Sequence, residues 1–91
     1  MAVGMLMEIP GGTQEQYDKV MEILDLGGQM PEGGISHVAG PMAGGWRVVD
    51  VWESQEAFQR FFDERLGAAI REAGVPPADP ELFPVHYRMP E

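Results

Sequence analysis

One stretch constrains the fold more than any other: Gly44-Gly45-Trp46-Arg47-Val48-Val49-Asp50-Val51-Trp52-Glu53-Ser54, followed by Gln55-Glu56-Ala57-Phe58-Gln59-Arg60-Phe61-Phe62. A glycine turn launches a run of β-branched and aromatic residues, and Ser54 is a good N-cap for the amphipathic helix that follows. The stretch reads as a central strand, Trp46 to Glu53, with a helix behind it. On that strand Trp46, Val48, Asp50 and Trp52 share one face, and Arg47, Val49, Val51 and Glu53 share the other.

The rest of the chain supplies matching elements. Ala2 to Ile9 reads as a first strand, with Val3, Met5, Met7 and Ile9 on one parity. Pro10-Gly11-Gly12 ends it. Thr13 with Gln16 three residues on has capping-box spacing, and Tyr17, Val20, Met21 and Leu24 form an apolar stripe, so a helix is expected from Gln14 to Leu24 or Leu26. Ile35 to Ala39 reads as a short second strand, with residues 40–45 as the hairpin connection. The second helix is expected to run unbroken from Ser54 to Ala73, because Gly74 is a natural stop and Pro76-Pro77 forbid continuation. Leu82 to Arg88 reads as strand 4, placed at a sheet edge by Pro84.

Strand, helix, strand, strand, helix, strand with right-handed crossovers folds into a ferredoxin-like α+β sandwich, a four-stranded antiparallel sheet with both helices on one face. The 91 residues make a single domain, residues 1–91, that buries only about 60–65% of its unfolded surface as a monomer. Both parities of strands 1 and 3 carry large apolar groups, whereas a face left in water should alternate to polar residues. The expectation is a homodimer, with a second copy on the free face.

Composition narrows the function. Without cysteine there is no disulfide, thiol nucleophile or thiolate metal site. A net charge of −9, with six scattered Lys and Arg residues, argues against nucleic acid and anionic membrane partners. The apolar start lacks a basic flank and a cleavage site and stops at Glu8 and Pro10, which reads as a cytoplasmic protein.

Five residues are candidates for chemistry. Asp50 on a central strand is costly unless it is paired or faces a wet cavity, so it marks a pocket or a polar interface contact. His37, on strand 2, has the reference pKa of a general base. Trp46 and Trp52 flank Asp50 on its face, as walls for a planar hydroxylated ligand or as plain core anchors. Arg65 falls inside the apolar arc of helix 2, where it reaches an acidic group or lays its stem on apolar surface. His86 lies on the opposite edge strand from His37, so the two do not meet within one subunit, and no metal site is expected. No serine triad, glycosidase carboxylate pair or phosphate loop is present in the pattern.

His37-Val38-Ala39-Gly40-Pro41 and Gly44 through Phe58, with Pro10-Gly11-Gly12-Thr13 upstream, resemble small proteins of the antibiotic biosynthesis monooxygenase-like superfamily. The resemblance covers nearly the whole chain and is strongest at Val51-Trp52-Glu53-Ser54. It implies a dimeric α+β barrel with a pocket between sheet and helices in each subunit. One activity it implies is that of a cofactor-independent monooxygenase acting on an aromatic or quinol-like small molecule; on the reading of the residues themselves, His37 and Asp50 would be catalytic and Trp46, Trp52 and Arg65 would bind substrate. The alternative is a non-catalytic small-ligand-binding or stress-related homodimer. A third reading makes Asp50 and the tryptophans parts of a dimer seam. The haem-degrading members use an Asn on strand 1 and a His on helix 2; strand 1 here has no Asn and helix 2 no His. The same topology serves acylphosphatases and RNA-recognition domains, but the loop after strand 1 lacks an Arg and the strands lack aromatic-basic motifs.

Overall fold

The computed structural model describes residues 1–90; Glu91, the last residue of the expected domain, lies outside them. Strands β1 (Val3–Pro10), β2 (Gly34–Met42), β3 (Gly45–Trp52) and β4 (Glu81–Pro84) form one antiparallel sheet in the order β2-β3-β1-β4. The α+β ferredoxin-like expectation holds, with β2 and β4 at opposite edges. No helix is long and apolar enough to cross a membrane among the described residues.

Helix α1 (Gln14–Leu24) starts where its cap demands: Gln16 N donates to Thr13 Oγ1 at 3.1 Å, and Thr13 N donates back to Gln16 Oε1 at 3.1 Å. Two orphan donors of the first turn are thereby satisfied, which stabilises the helix by about 1 kcal/mol. The second helix is not the uninterrupted α-helix expected from the apolar arc. It consists of α2 (Gln55–Phe61), a π-helical turn (Phe62–Leu66) and α3 (Gly67–Ala73). A π-turn brings residues five apart into line, and Phe61 and Leu66 both reach the same cavity wall. Arg65, which an ideal helix places inside the arc, is exposed.

Two strands also differ from their expected limits. β2 extends to Met42, because Gly40 and Pro41 are tolerated on an edge strand, leaving only Ala43-Gly44 as the turn. Gly44 has φ of +75°, the left-handed conformation a side chain would resist. β4 ends at Pro84 instead of Arg88: Pro84 lies opposite Val3, the first residue of β1, and Val85 N donates to Ala2 O at 3.0 Å.

The inner sheet face carries Met5, Met7 and Ile9 of β1 and Trp52 of β3, packed with Phe58 of α2. Val20 and Leu24 of α1 meet Ala69 of α3 in a second cluster. The parity left open by the sequence is settled: Trp46, Val48, Asp50 and Trp52 face the helices. On the outer face, Val38, Val49 and Leu6 lie side by side across three strands, flanked by Val51 and by the Phe83 ring that covers Gly4. Val38 is 65% exposed, an unusual state for an aliphatic residue in a row of others.

Candidate functional site

Helices and sheet do not close on each other completely. Between β1, β3, α1, the π-turn and the loop 26–31 lies a cavity of about 350 Å³, within the range of small-ligand pockets. Its walls are mainly methionine and aliphatic side chains, Met5, Met7, Val20, Met21, Leu24 and Met30 among them. Unbranched thioethers adapt to flat, irregular apolar shapes better than branched side chains do.

Four side chains in the wall, Tyr17, His37, Asp50 and Trp52, form one hydrogen-bonded chain, and Thr13, Gln16, Gln29 and Trp46 add polar groups outside it. His37 lies directly opposite Asp50 in the β2–β3 register, and His37 Nδ1 is 2.5 Å from Asp50 Oδ1. The other carboxylate oxygen, Oδ2, accepts from Trp52 Nε1 at 3.1 Å. On the far side of the imidazole, Nε2 is 2.6 Å from the Tyr17 hydroxyl, whose ring is parallel to His37 within 6°. Asp50 is only 6% exposed, yet both of its oxygens are engaged, which answers the cost of burying it.

The direction of the chain follows from donor inventory. Indole nitrogen only donates, so Asp50 Oδ2 is an acceptor; the ionised carboxylate accepts at Oδ1 as well, which places the imidazole proton on Nδ1. With the imidazole neutral, Nε2 carries the lone pair and the Tyr17 O–H donates to it. Burial, with the charges of Asp50 and Asp18 adding to it, raises the Tyr17 phenol above its usual 10.0. Tyr17 is therefore protonated at neutral pH.

Four of the five residues singled out in the sequence line this cavity: His37, Asp50, Trp46 and Trp52. Trp46 is buried against Tyr17, ring centroids 5.3 Å apart, and its Nε1 has no hydrogen-bond partner among the described residues. Arg65 is elsewhere: its Nη2 donates to Leu24 O, satisfying one of the orphan carbonyls at the end of α1, and it is not part of the wall. His86 is exposed beyond β4. Tyr17 was the residue sequence reasoning missed, because it opens the apolar stripe of α1 and reads there as core. The available signal was its hydroxyl, which needs a partner wherever the ring is buried. Among the described residues no three His, Asp or Glu side chains converge as they would to hold a metal ion.

No family model matches the sequence, and no curated protein matches it. Solved structures do. A mutant of SnoaB, a cofactor-independent oxygenase from Streptomyces nogalater, superposes with a TM-score of 0.66 at 12% identity over 99% of this chain and 97% of its own. A proposed antibiotic biosynthesis monooxygenase from Chloroflexus aurantiacus gives 0.66 at 19% identity, covering 97% of each chain. One from Deinococcus radiodurans gives 0.66 at 9% identity over 98% of this chain and 96% of its own. Nearly the whole length of both chains is covered in each case, and the chain has the ferredoxin-like fold of antibiotic biosynthesis monooxygenase-type proteins.

Proposed function

We propose that this protein is a cofactor-independent monooxygenase acting on an electron-rich phenol whose ring carbon para to the hydroxyl carries a hydrogen. The observation that carries this reading is the Tyr17–His37–Asp50 chain, which sets a base at the wall of an otherwise apolar cavity of aromatic size. The neighbouring folds include an oxygenase that works without a cofactor, which supports the same reading.

The chemistry needs little from the protein. A substrate hydroxyl passes its proton to the Tyr17 oxygen as Tyr17 passes its own to His37 Nε2, and the imidazolium formed is held by Asp50. The electron pair of the substrate anion then forms a carbon–oxygen bond to dioxygen at the ring carbon para to the hydroxyl. The peroxide oxygen takes a proton back from His37. Loss of the ring hydrogen and the distal oxygen as water leaves a quinone: four electrons leave the substrate and dioxygen receives them, one oxygen atom going to product and one to water. An apolar wall excludes water from the anion and from the hydroperoxide.

The reading includes a homodimer. The outer sheet face, with Leu6, Val38, Val49, Val51 and Phe83, supports it because a second copy laid on the same patch removes those side chains from water. Two sheets packed in this way make the barrel of the oxygenase-type assembly.

Oxygen consumption with 1,5-dihydroxynaphthalene tests the activity. The expected result is uptake above the spontaneous rate, reduced about 100-fold or more in His37→Ala. Uptake retained in the His37→Ala/Asp50→Ala double variant contradicts it, and saturable binding without uptake moves the protein to the non-catalytic ligand-binding reading.

A further inference from the structure

We infer that the cavity selects its ligand by hydrogen-bond polarity: it takes an aromatic molecule that offers a hydroxyl donor, and discriminates against the same ring system carrying a carbonyl in that place. Trp52 sets the direction of the chain, because its indole can only donate. With Asp50 ionised and His37 neutral, the indole's bond to Asp50 Oδ2 and the His37 contact at Oδ1 orient every hydrogen of the chain, and the consequence emerges at the cavity end. Tyr17 has one hydrogen and has given it to His37 Nε2 at 2.6 Å. What its oxygen still offers is a lone pair, an acceptor, and Tyr17 is part of the cavity wall.

A phenol or hydroquinone can donate to that lone pair. A quinone, ketone or carboxylate cannot, and brings its own lone pairs against those of Tyr17, leaving two acceptors facing each other in an apolar site. The site is thus matched to the reduced form of a quinone-type pair. Resting on the proposed oxidation only for its meaning in turnover, this polarity also accounts for release: the hydroxyl that docks the substrate has become a carbonyl in the product.

The same logic gives a reversal. In Asp50→Asn the single amide oxygen is claimed by the Trp52 N–H, and the NH₂ group turns to His37. Nδ1 must then accept, the imidazole proton moves to Nε2, and His37 donates to the Tyr17 oxygen. The Tyr17 O–H is released toward the cavity as a donor, so the preferred ligand becomes the carbonyl form.

The test is a pair of equilibrium-binding titrations with 1-naphthol and 1,4-naphthoquinone, followed by tryptophan fluorescence and confirmed by dialysis, on the full chain and its Asp50→Asn and Tyr17→Phe variants. The ratio of the two affinities is the readout, since both probes share one ring system. The expected result is a naphthol preference of about fivefold to tenfold in the unaltered protein, little preference in Tyr17→Phe, and a reversed preference in Asp50→Asn. Far-ultraviolet circular dichroism establishes that each variant is folded, and the unaltered protein alone decides the first point if one is not. Equal affinities, a quinone preference in the unaltered protein, or binding of neither probe overturns the inference. Because no turnover is measured, a donor preference without oxygen uptake removes the oxygenase reading and leaves the polarity standing.

Discussion

His37 Nδ1 and Asp50 Oδ1 face each other at 2.5 Å across the β2–β3 ladder, one from an edge strand and one from an interior strand. The pairing is built into the register, so the sheet itself orients the imidazole, and the helix-borne Tyr17 closes the far side. Sheet and helix each contribute one partner of His37, and neither element alone makes the site.

Removing the carboxylate separates its structural and chemical roles. Asp50→Ala leaves two buried donors, Trp52 Nε1–H and His37 Nδ1–H, without acceptors, and is expected to lower stability by about 2–4 kcal/mol in urea unfolding. Asp50→Asn keeps the volume and both contacts and is expected to lose less than half as much.

Tyr17 gives a titration with a definite sign. Its phenol is raised by burial and by Asp50, so in the folded protein it stays protonated above pH 10.0, where the unfolded chain has begun to release that proton. The unfolded state then binds fewer protons, and the Tyr17 contribution to stability, complete below pH 10.0, falls as pH rises through the folded value. Ultraviolet-monitored titration of a Tyr87→Phe background, which leaves Tyr17 as the remaining tyrosine, should show a midpoint above 10.0. Adding Asp50→Asn should bring that midpoint down without returning it fully, because burial remains.

The outer face makes an assembly prediction. Val49 stands between Leu6 and Val38 in the centre of the apolar row. Val49→Asp sets two like charges near the two-fold axis of a face-to-face dimer, so sedimentation should report a dimer for the unaltered chain and a monomer for the variant, with the cavity intact.

Gly45 is held by contact. A Cβ there would stand 2.3 Å from Ile9 O, a backbone atom of the paired strand that has no rotamer to escape by. Gly45→Ala should cost about 1–3 kcal/mol in urea unfolding, and should loosen the end of the β1–β3 ladder that carries Trp46.

Much of this was legible in the residues themselves. The Ser54 and Thr13 caps, the alternation of β3 and the Pro84 edge position led to the fold, because caps, pleats and proline act locally. Asp50 announced a pocket or an interface because a carboxylate among valines needs a reason. The π-turn was not legible: five ordinary helix formers, Phe62-Asp63-Glu64-Arg65-Leu66, carry no signature of it, and Arg65 was misplaced with it. Tyr17 was hidden by its neighbours, since an aromatic ring at the head of an apolar stripe looks like core until the strand that meets it is known. The His37–Asp50 pairing depended on strand register, which a bulge between Gly34 and Ser36 adjusts at one end of β2.

The direction of the Trp52–Asp50–His37–Tyr17 chain is the claim on which the base, the ligand polarity and the Asp50→Asn reversal all depend. Nitrogen-15 NMR of the His37 imidazole at neutral pH reads it directly. The account predicts a proton on Nδ1 and an unprotonated, hydrogen-bond-accepting Nε2, changing to the opposite tautomer in Asp50→Asn. A proton on Nε2 in the unaltered protein would contradict it, because Tyr17 would then face the cavity as a donor and His37 would have no lone pair on the cavity side of the chain.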